Sequence, residues 1–224
     1  MHVTHALSIF LPRLSKKSGH IKLLMSVILL DIGNVMVSVD FVPFCRSVLP
    51  REPIGVQEIF AEYCSGEPKR LLDTGRIAPD DFLDLIVADP RTAPLAREEV
   101  RGVWERIFTP LQGADASIEA LGRRFPIWIM SDTDPIHFSF LLENYPLLRN
   151  RERYYLSFEH GFLKSSPDAF HHVLSDSGIA ARELILIDDR LENCISARSA
   201  GIRSIQFDSW PAVMASLDAG GTSS

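Results

Sequence analysis

Short apolar runs that stop on an acid are the feature that most limits how this chain can fold. Val27–Leu30 leads into Asp31. Residues 127–130 lead into Ser131 and Asp132, 184–187 into Asp188 and Asp189, and 203–207 into Asp208. A short continuous apolar run is how a strand buried on both faces reads. Helical patterns lie between the runs. Ser166 has the character of an N-cap, with Pro167 at the first helical position and Asp168 complementing the dipole. Ala169, Phe170, Val173 and Leu174 follow at helical spacing, and Gly178 suits the stop. Residues 191–200, before Gly201, read as another helix. Strands alternating with helices predict an α/β fold, a doubly wound parallel (Rossmann-like) sheet.

Residues 42–110 break this rhythm, with no comparable apolar strand run. Stretches 54–64, 80–88 and 96–108 read as amphipathic helices, and 73–79 as a turn that opens the second. A small helical unit is therefore expected as an insertion after the first strand. This gives three parts: an extension over 1–24, an α/β core over 25–41 and 111–224, and a helical cap over 42–110. The first part holds Arg13, Lys16, Lys17 and Lys22 and no acid. It is expected to be a loosely ordered extension, with a targeting segment as the alternative.

Composition excludes several classes. At 46% hydrophobic and 23% charged residues, the chain is neither disordered nor of low complexity. The net charge of −6 offers no basic footprint for nucleic acid. No apolar run approaches the ~20 residues that span a bilayer, so no membrane partner is expected. Three cysteines without a CxxC do not make a disulfide framework, and a reducing, cytoplasmic compartment is the simplest reading.

In a doubly wound sheet, ligands sit beyond the carboxyl ends of the strands. An aspartate there is ordinarily a turn residue or a helix cap. If the ends at Asp31, Ser131-Asp132 and Asp188-Asp189 converge, however, they place carboxylates and a hydroxyl in one site. Such a set suits Mg2+, a hard cation that takes one or two carboxylates plus substrate phosphate. Lys164, just before the Ser166-capped helix, is either a solvated surface lysine or an ammonium beside those carboxylates.

Four motifs in this order resemble the haloacid dehalogenase-like superfamily over residues 25–208. They are Val27 to Val35 with Asp31-Ile32-Gly33-Asn34, Ile127 to Ser131, Lys164 with Ser165-Ser166-Pro167, and Leu186 to Asp189 followed by Asn193. The turn Gly75-Arg76-Ile77 before Pro79 to Phe82 resembles a cap signature. The first motif is most similar to the branch that includes alpha-D-glucose-1-phosphate phosphatase-like proteins. The resemblance implies a Mg2+-dependent phosphatase acting on a small-molecule phosphate ester such as a sugar phosphate. Asp31 would be the nucleophile. Asp31, Asp188, Asp189 and the main-chain carbonyl of Gly33 would hold the metal. Ser131, Asp132 and Lys164 would contact the substrate, and the cap would close over it.

One departure from the family pattern matters. Gly33 stands where most phosphatases of the superfamily have an acid/base Asp. Asp132, Asp134 and His137 are the nearby replacements in sequence. His137 also reads as a partly buried helix residue and Asp134 as an N-cap. A weakly active or inactive phospho-ligand-binding relative is one alternative. A haloacid dehalogenase is another, against which the Asp188-Asp189 pair argues because it calls for a cation. Trp104, Phe108 and Trp128 line an apolar pocket or pack in the core.

Overall fold

The computed structural model describes residues 26–50 and 55–220. The expected extension over 1–24 and the start of the 54–64 helix at Ile54 lie outside the described residues.

Among the described residues, seven strands form two sheets: β1 Val27–Leu30, β2 Val37–Val39, β3 Phe108–Pro110, β4 Ile127–Ser131, β5 Tyr154–Leu156, β6 Leu184–Asp188 and β7 Arg203–Gln206. The main sheet has five strands in the order β5-β4-β1-β6-β7. Every pairing within it is parallel. The helices are α1 Val42–Val48, α2 Val56–Ile59, α3 Glu67–Asp73, α4 Pro79–Ala88, α5 Arg97–Trp104, α6 Ala114–Gly122, α7 Pro135–Asn144, α8 Ser157–His160, α9 Pro167–Ser177, α10 Leu191–Ser199 and α11 Trp210–Gly220.

Side chains alternate across the central strands, and both faces are covered. Ile28, Leu30, Ile127, Ile129, Ile185 and Ile187 pack on one face with Ile118 and Leu121 of α6 and Val213 and Leu217 of α11. Leu29, Trp128, Met130, Leu184 and Leu186 pack on the other with Phe170 and Val173 of α9 and Ala197 of α10. This is the expected α/β doubly wound core. Ser166 accepts a hydrogen bond from the Asp168 amide, and Gly178 closes α9 at φ 67°.

Helices α1 to α5 build a separate apolar cluster around Phe44, Ile59, Leu72, Phe82, Ile86 and Trp104. Ile136 of α7 joins it from the core side. The antiparallel pair β2–β3 sits where the chain leaves for these helices and returns, Ser38 opposite Thr109.

Three local expectations change. The 54–64 segment is not one α-helix, because it turns from α2 into a π-helical stretch at Phe60–Cys64. The 96–108 helix stops at Trp104, and Phe108 belongs to β3, where pairing with Val39 replaces the next helical turn. Asp73 is the last residue of α3 rather than part of the following turn. That turn lies tight against α8. Gly75 has φ 65°, and a Cβ there would come within 2.3 Å of the Phe158 carbonyl oxygen. Only a residue without Cβ fits.

Candidate active site

The sheet order puts β1 at the centre, with β4 and β6 on either side. Chain connections run in opposite directions from such a strand, and the crevice at its carboxyl end is where α/β sheets take ligands. Leu30 pairs with both Ile129 and Ile187. The residues that follow therefore emerge side by side. The Asp31 amide donates to the Ile187 carbonyl at 3.1 Å, which locks the loop after β1 to the end of β6.

Lys164 lies under this junction, 2% exposed. Its Nζ is 2.7 Å from Asp31 Oδ1 and 2.6 Å from Asp188 Oδ2. The surface reading of Lys164 is thereby corrected. A backbone anchor holds it in place, since its amide donates to Asp132 Oδ1 at 2.9 Å. Burial disfavours its charged form, but Asp31, Asp188 and Asp132 outweigh that and hold its pKa above the usual lysine range.

Asp31 is 6% exposed. Burial, aided by Asp188 and Asp189 and opposed by Lys164, pushes its pKa up to about 7. The Ile32 amide donates to Asp31 Oδ1 at 2.7 Å. Asp188 is fully buried, and both its oxygens are occupied. Lys164 takes Oδ2, while Asn193 Nδ2 and the Arg190 amide each donate to Oδ1 at 2.9 Å. Asp189 is more open, and accepts from Asn34 Nδ2 at 3.1 Å. Asn34 adopts φ 53°, the left-handed region that Asn tolerates better than most residues.

Asp31, Asp188 and Asp189 each offer an oxygen within 4.8 Å of the others. Three carboxylates answered by one ammonium leave an excess of negative charge. The donor set is all oxygen, which fits a hard divalent cation.

Two adjoining cavities open here. One, of about 180 Å³, is lined by Asp31, Gly33, Asn34, Asp132, Lys164 and Asp189 among others. The second, of about 200 Å³, is lined by Gly33, Ser131, Asp132, Lys69, Asp73 and His137 among others. Asp31, Gly33, Ser131, Asp132, Lys164, Asp188 and Asp189 are thus brought to one place.

Asp134 and His137 do not sit free as proton donors. Asp134 is fully buried and caps α7, with Oδ1 accepting from the Ile136 and His137 amides at 2.9 Å. Its Oδ2 is 2.7 Å from His137 Nδ1. Burial alone would raise its pKa, but His137 and Lys69 hold it well below the usual carboxylate range. His137 Nε2 faces the Trp104 carbonyl at 2.9 Å, and its ring stacks on Trp104. Trp104 and Trp128 are core residues, whereas Phe108 borders the second cavity.

Nothing in the sequence singles out Lys69 and Asp73, which line the second cavity. An acid and a lysine at i, i+4 ordinarily form a surface pair, and no periodicity distinguishes this pair from that case.

A five-stranded parallel core, an acidic cluster around a buried lysine at its central strand end, and a helical unit inserted after the first strand define a capped Rossmann-like enzyme. The family model for haloacid dehalogenase-like hydrolases matches residues 25–201, and the chain belongs to that family. A D-ribitol-5-phosphate phosphatase from Bacteroides thetaiotaomicron is 23% identical over 186 residues, covering 80% of this chain and 90% of the relative. A haloacid dehalogenase family enzyme from the same organism, crystallised with magnesium and inorganic phosphate, superposes with TM-score 0.70 at 24% identity, covering 84% of this chain and 98% of that one. An L-2-haloacid dehalogenase from Xanthobacter autotrophicus shares the fold at TM-score 0.57 and 16% identity, covering 88% of this chain and 83% of that one. No helix among the described residues is long and apolar enough to cross a membrane.

Proposed function

We propose that this protein is a Mg2+-dependent phosphatase acting on a small phosphorylated metabolite of the sugar or polyol phosphate class. The observation that carries this reading is the buried Lys164 bridging Asp31 and Asp188 beside the more open Asp189. The similarity to a D-ribitol-5-phosphate phosphatase supports the substrate class.

Asp31 would act as the nucleophile. Its free carboxylate oxygen attacks phosphorus, the P–O bond to the alcohol breaks, and an aspartyl-phosphate forms. Water then cleaves that phosphate and restores Asp31. Lys164 offsets the charge of Asp31 and of the phosphoryl oxygens, so that two anions can meet. Ser131 and Asp132 face the substrate from the end of β4. Asp31, Asp189 and the Gly33 carbonyl are the groups that would hold Mg2+. Asp188, also expected among the metal ligands, lies within reach of the same cation, and in this reading its chief role is to hold Lys164, since both its oxygens already accept hydrogen bonds. When bound, the cation neutralises phosphate charge.

Gly33 supplies no acid/base side chain. Asp132 is the carboxyl group that borders both cavities, and burial, opposed by Lys164, raises its pKa. It is the residue of this chain best placed to give a proton to the leaving oxygen. Asp134 is committed to capping α7 and pairing with His137. The dehalogenase alternative is less well supported, because the Asp188-Asp189 pair beside Asp31 calls for a cation, which displacing halide from carbon does not need.

The test is a panel of phosphate esters assayed with Mg2+, with and without chelator, on the wild type and on Asp31→Asn. Release of phosphate that requires Mg2+ and disappears in the variant is the expected result. Equal turnover by Asp31→Asn, or full activity in chelator, would overturn this reading. Trapping with beryllium fluoride, a phosphoryl mimic on carboxylates, should label Asp31.

A further inference from the structure

Four ionisable side chains outside the proposed catalytic set are buried together where the helical unit meets the core. Lys69 and Asp73 come from α3, and Asp134 and His137 come from the start of α7. Lys69 pairs with Asp73 and lies 3.5 Å from Asp134 Oδ2. The side chains of Lys69 and Asp73 are 11% and 14% exposed, and what remains exposed faces the second cavity. Removing such charges from water is expensive, and a buried ion pair is weak evidence for stability. An apolar seam would close the same gap at less cost. The arrangement calls for another explanation.

The cavity supplies one. It shares Gly33, Asp132 and Arg190 with the cavity of the nucleophile, so a phosphate ester whose phosphoryl group sat at Asp31 would extend its leaving group into it. Its wall has two characters. Lys69 is a donor and Asp73 an acceptor, one helical turn apart, while Phe41, Ile107 and Phe108 are apolar. The Lys69 ammonium is already answered by Asp73 and Asp134. It is therefore not a lone cation seeking a second anionic group. A substrate carboxylate placed here would meet Asp73 and Asp132, and Arg190, at the junction with the cavity of the nucleophile, is already paired with Glu192. Neutral hydroxyls on a carbon chain match both characters, since they donate to Asp73, accept from Lys69 and lay C–H surface on the aromatic side. The cavity has a volume of about 200 Å³. A leaving group of a few carbons fits this space.

We propose that Lys69 and Asp73 are the specificity-determining residues of this enzyme, and that they bind the hydroxyls of a short, uncharged polyol leaving group. This rests on the phosphatase reading above. Asp134 and His137 act as positioning residues. They fix Lys69 from the core side and so tie recognition of the leaving group to closure of the helical unit over the nucleophile.

The experiment compares kcat/KM for ribitol 5-phosphate, glycerol 3-phosphate, 3-phosphoglycerate and phenyl phosphate, on the wild type, Lys69→Met and Asp73→Asn. The wild type should prefer the two polyol phosphates to 3-phosphoglycerate, which carries a carboxylate on the same three-carbon chain as glycerol 3-phosphate. In the variants, the ratio of polyol phosphate to phenyl phosphate kcat/KM should fall about tenfold or more, mostly through KM. A merely structural role would lower both substrates together and leave the ratio unchanged, which would overturn the proposal. Wild-type preference for 3-phosphoglycerate would overturn it too, even if neither variant folds. Turnover of phenyl phosphate without any polyol phosphate would sink this proposal while the phosphatase reading stands. No turnover of any of the four esters would remove both.

Discussion

Lys164 Nζ sits 2.7 Å from Asp31 Oδ1, with the lysine 2% and the aspartate 6% exposed. Burial pushes Asp31 towards its protonated form, and the ammonium pulls it back. Asp31 needs that partner to stay ionised as a nucleophile. Lys164→Met should therefore abolish phosphate release, and beryllium fluoride trapping on Asp31 should weaken with it. Trapping at wild-type strength would show that the lysine is not needed to prepare the carboxylate.

The two acids after β6 should separate in their effects. Asp188 has both oxygens satisfied inside the protein, whereas Asp189 is partly exposed and bonds one Asn34 amide group. Asp188→Ala should lower stability by about 3 kcal/mol, because it strips a buried lysine of one partner. Asp189→Ala should leave the melting temperature nearly unchanged and raise the Mg2+ concentration needed for activity. Equal melting shifts in the two variants would show that the acids share one role.

A histidine pair away from the site should make the fold acid-sensitive. His160 of α8 has both ring nitrogens buried, and its ring lies 4.9 Å from that of His172 on α9, with the Tyr155 ring of β5 within 6.5 Å of both. Burial first, and then the neighbouring His172, lower its pKa from 6.5 to about 4. Between those values the unfolded chain binds a proton that the folded chain does not. Stability should therefore be full above pH 6.5 and fall as the pH drops towards 4. His160→Phe keeps the ring contacts and removes the titration, so its melting temperature should fall less steeply over that range. Parallel slopes for the variant and the wild type would place the acid sensitivity elsewhere.

Much of this architecture is legible in the sequence because burial on both faces leaves a plain mark. Val27–Leu30 has no polar residue, and every position in it is buried. Edge strands leave less. Tyr154–Leu156 is three residues long and follows an arginine-rich stretch, so nothing in its pattern separates it from a loop. Lys164 could be placed in the chain but not in space, since its partners are 133 and 24 residues away in sequence. Asp73 was hidden for another reason. Thr74 and Gly75 after it have turn character, and that signal extends naturally to the acid before them. Only the packing of α3 against α7 and α8 turns it into a buried group.

Gly33 provides the strongest test of how protons move in this site. Its backbone is outside the left-handed region, so Asp is conformationally allowed there. A Cβ would lie 3.3 Å from Val39 Cγ2, a contact that the end of one side chain can relieve by a few tenths of an ångström. Gly33→Asp should thus fold, and would present a carboxyl group beside Asp132 at the junction of the two cavities. If proton transfer limits turnover, the variant should raise kcat on alkyl phosphates, whose leaving oxygen needs a proton. The gain can reach the ~10²–10⁴ typical of general acid/base catalysis. Phenyl phosphate, with a better leaving group, should gain much less. Asp132→Asn should show the reverse pattern, with its largest loss on alkyl phosphates, and Gly33→Asp should rescue part of that loss in the double variant. A Gly33→Asp protein that folds, binds Mg2+ and gains nothing on alkyl phosphates, together with a neutral Asp132→Asn, would mean that proton transfer is not limiting in this enzyme.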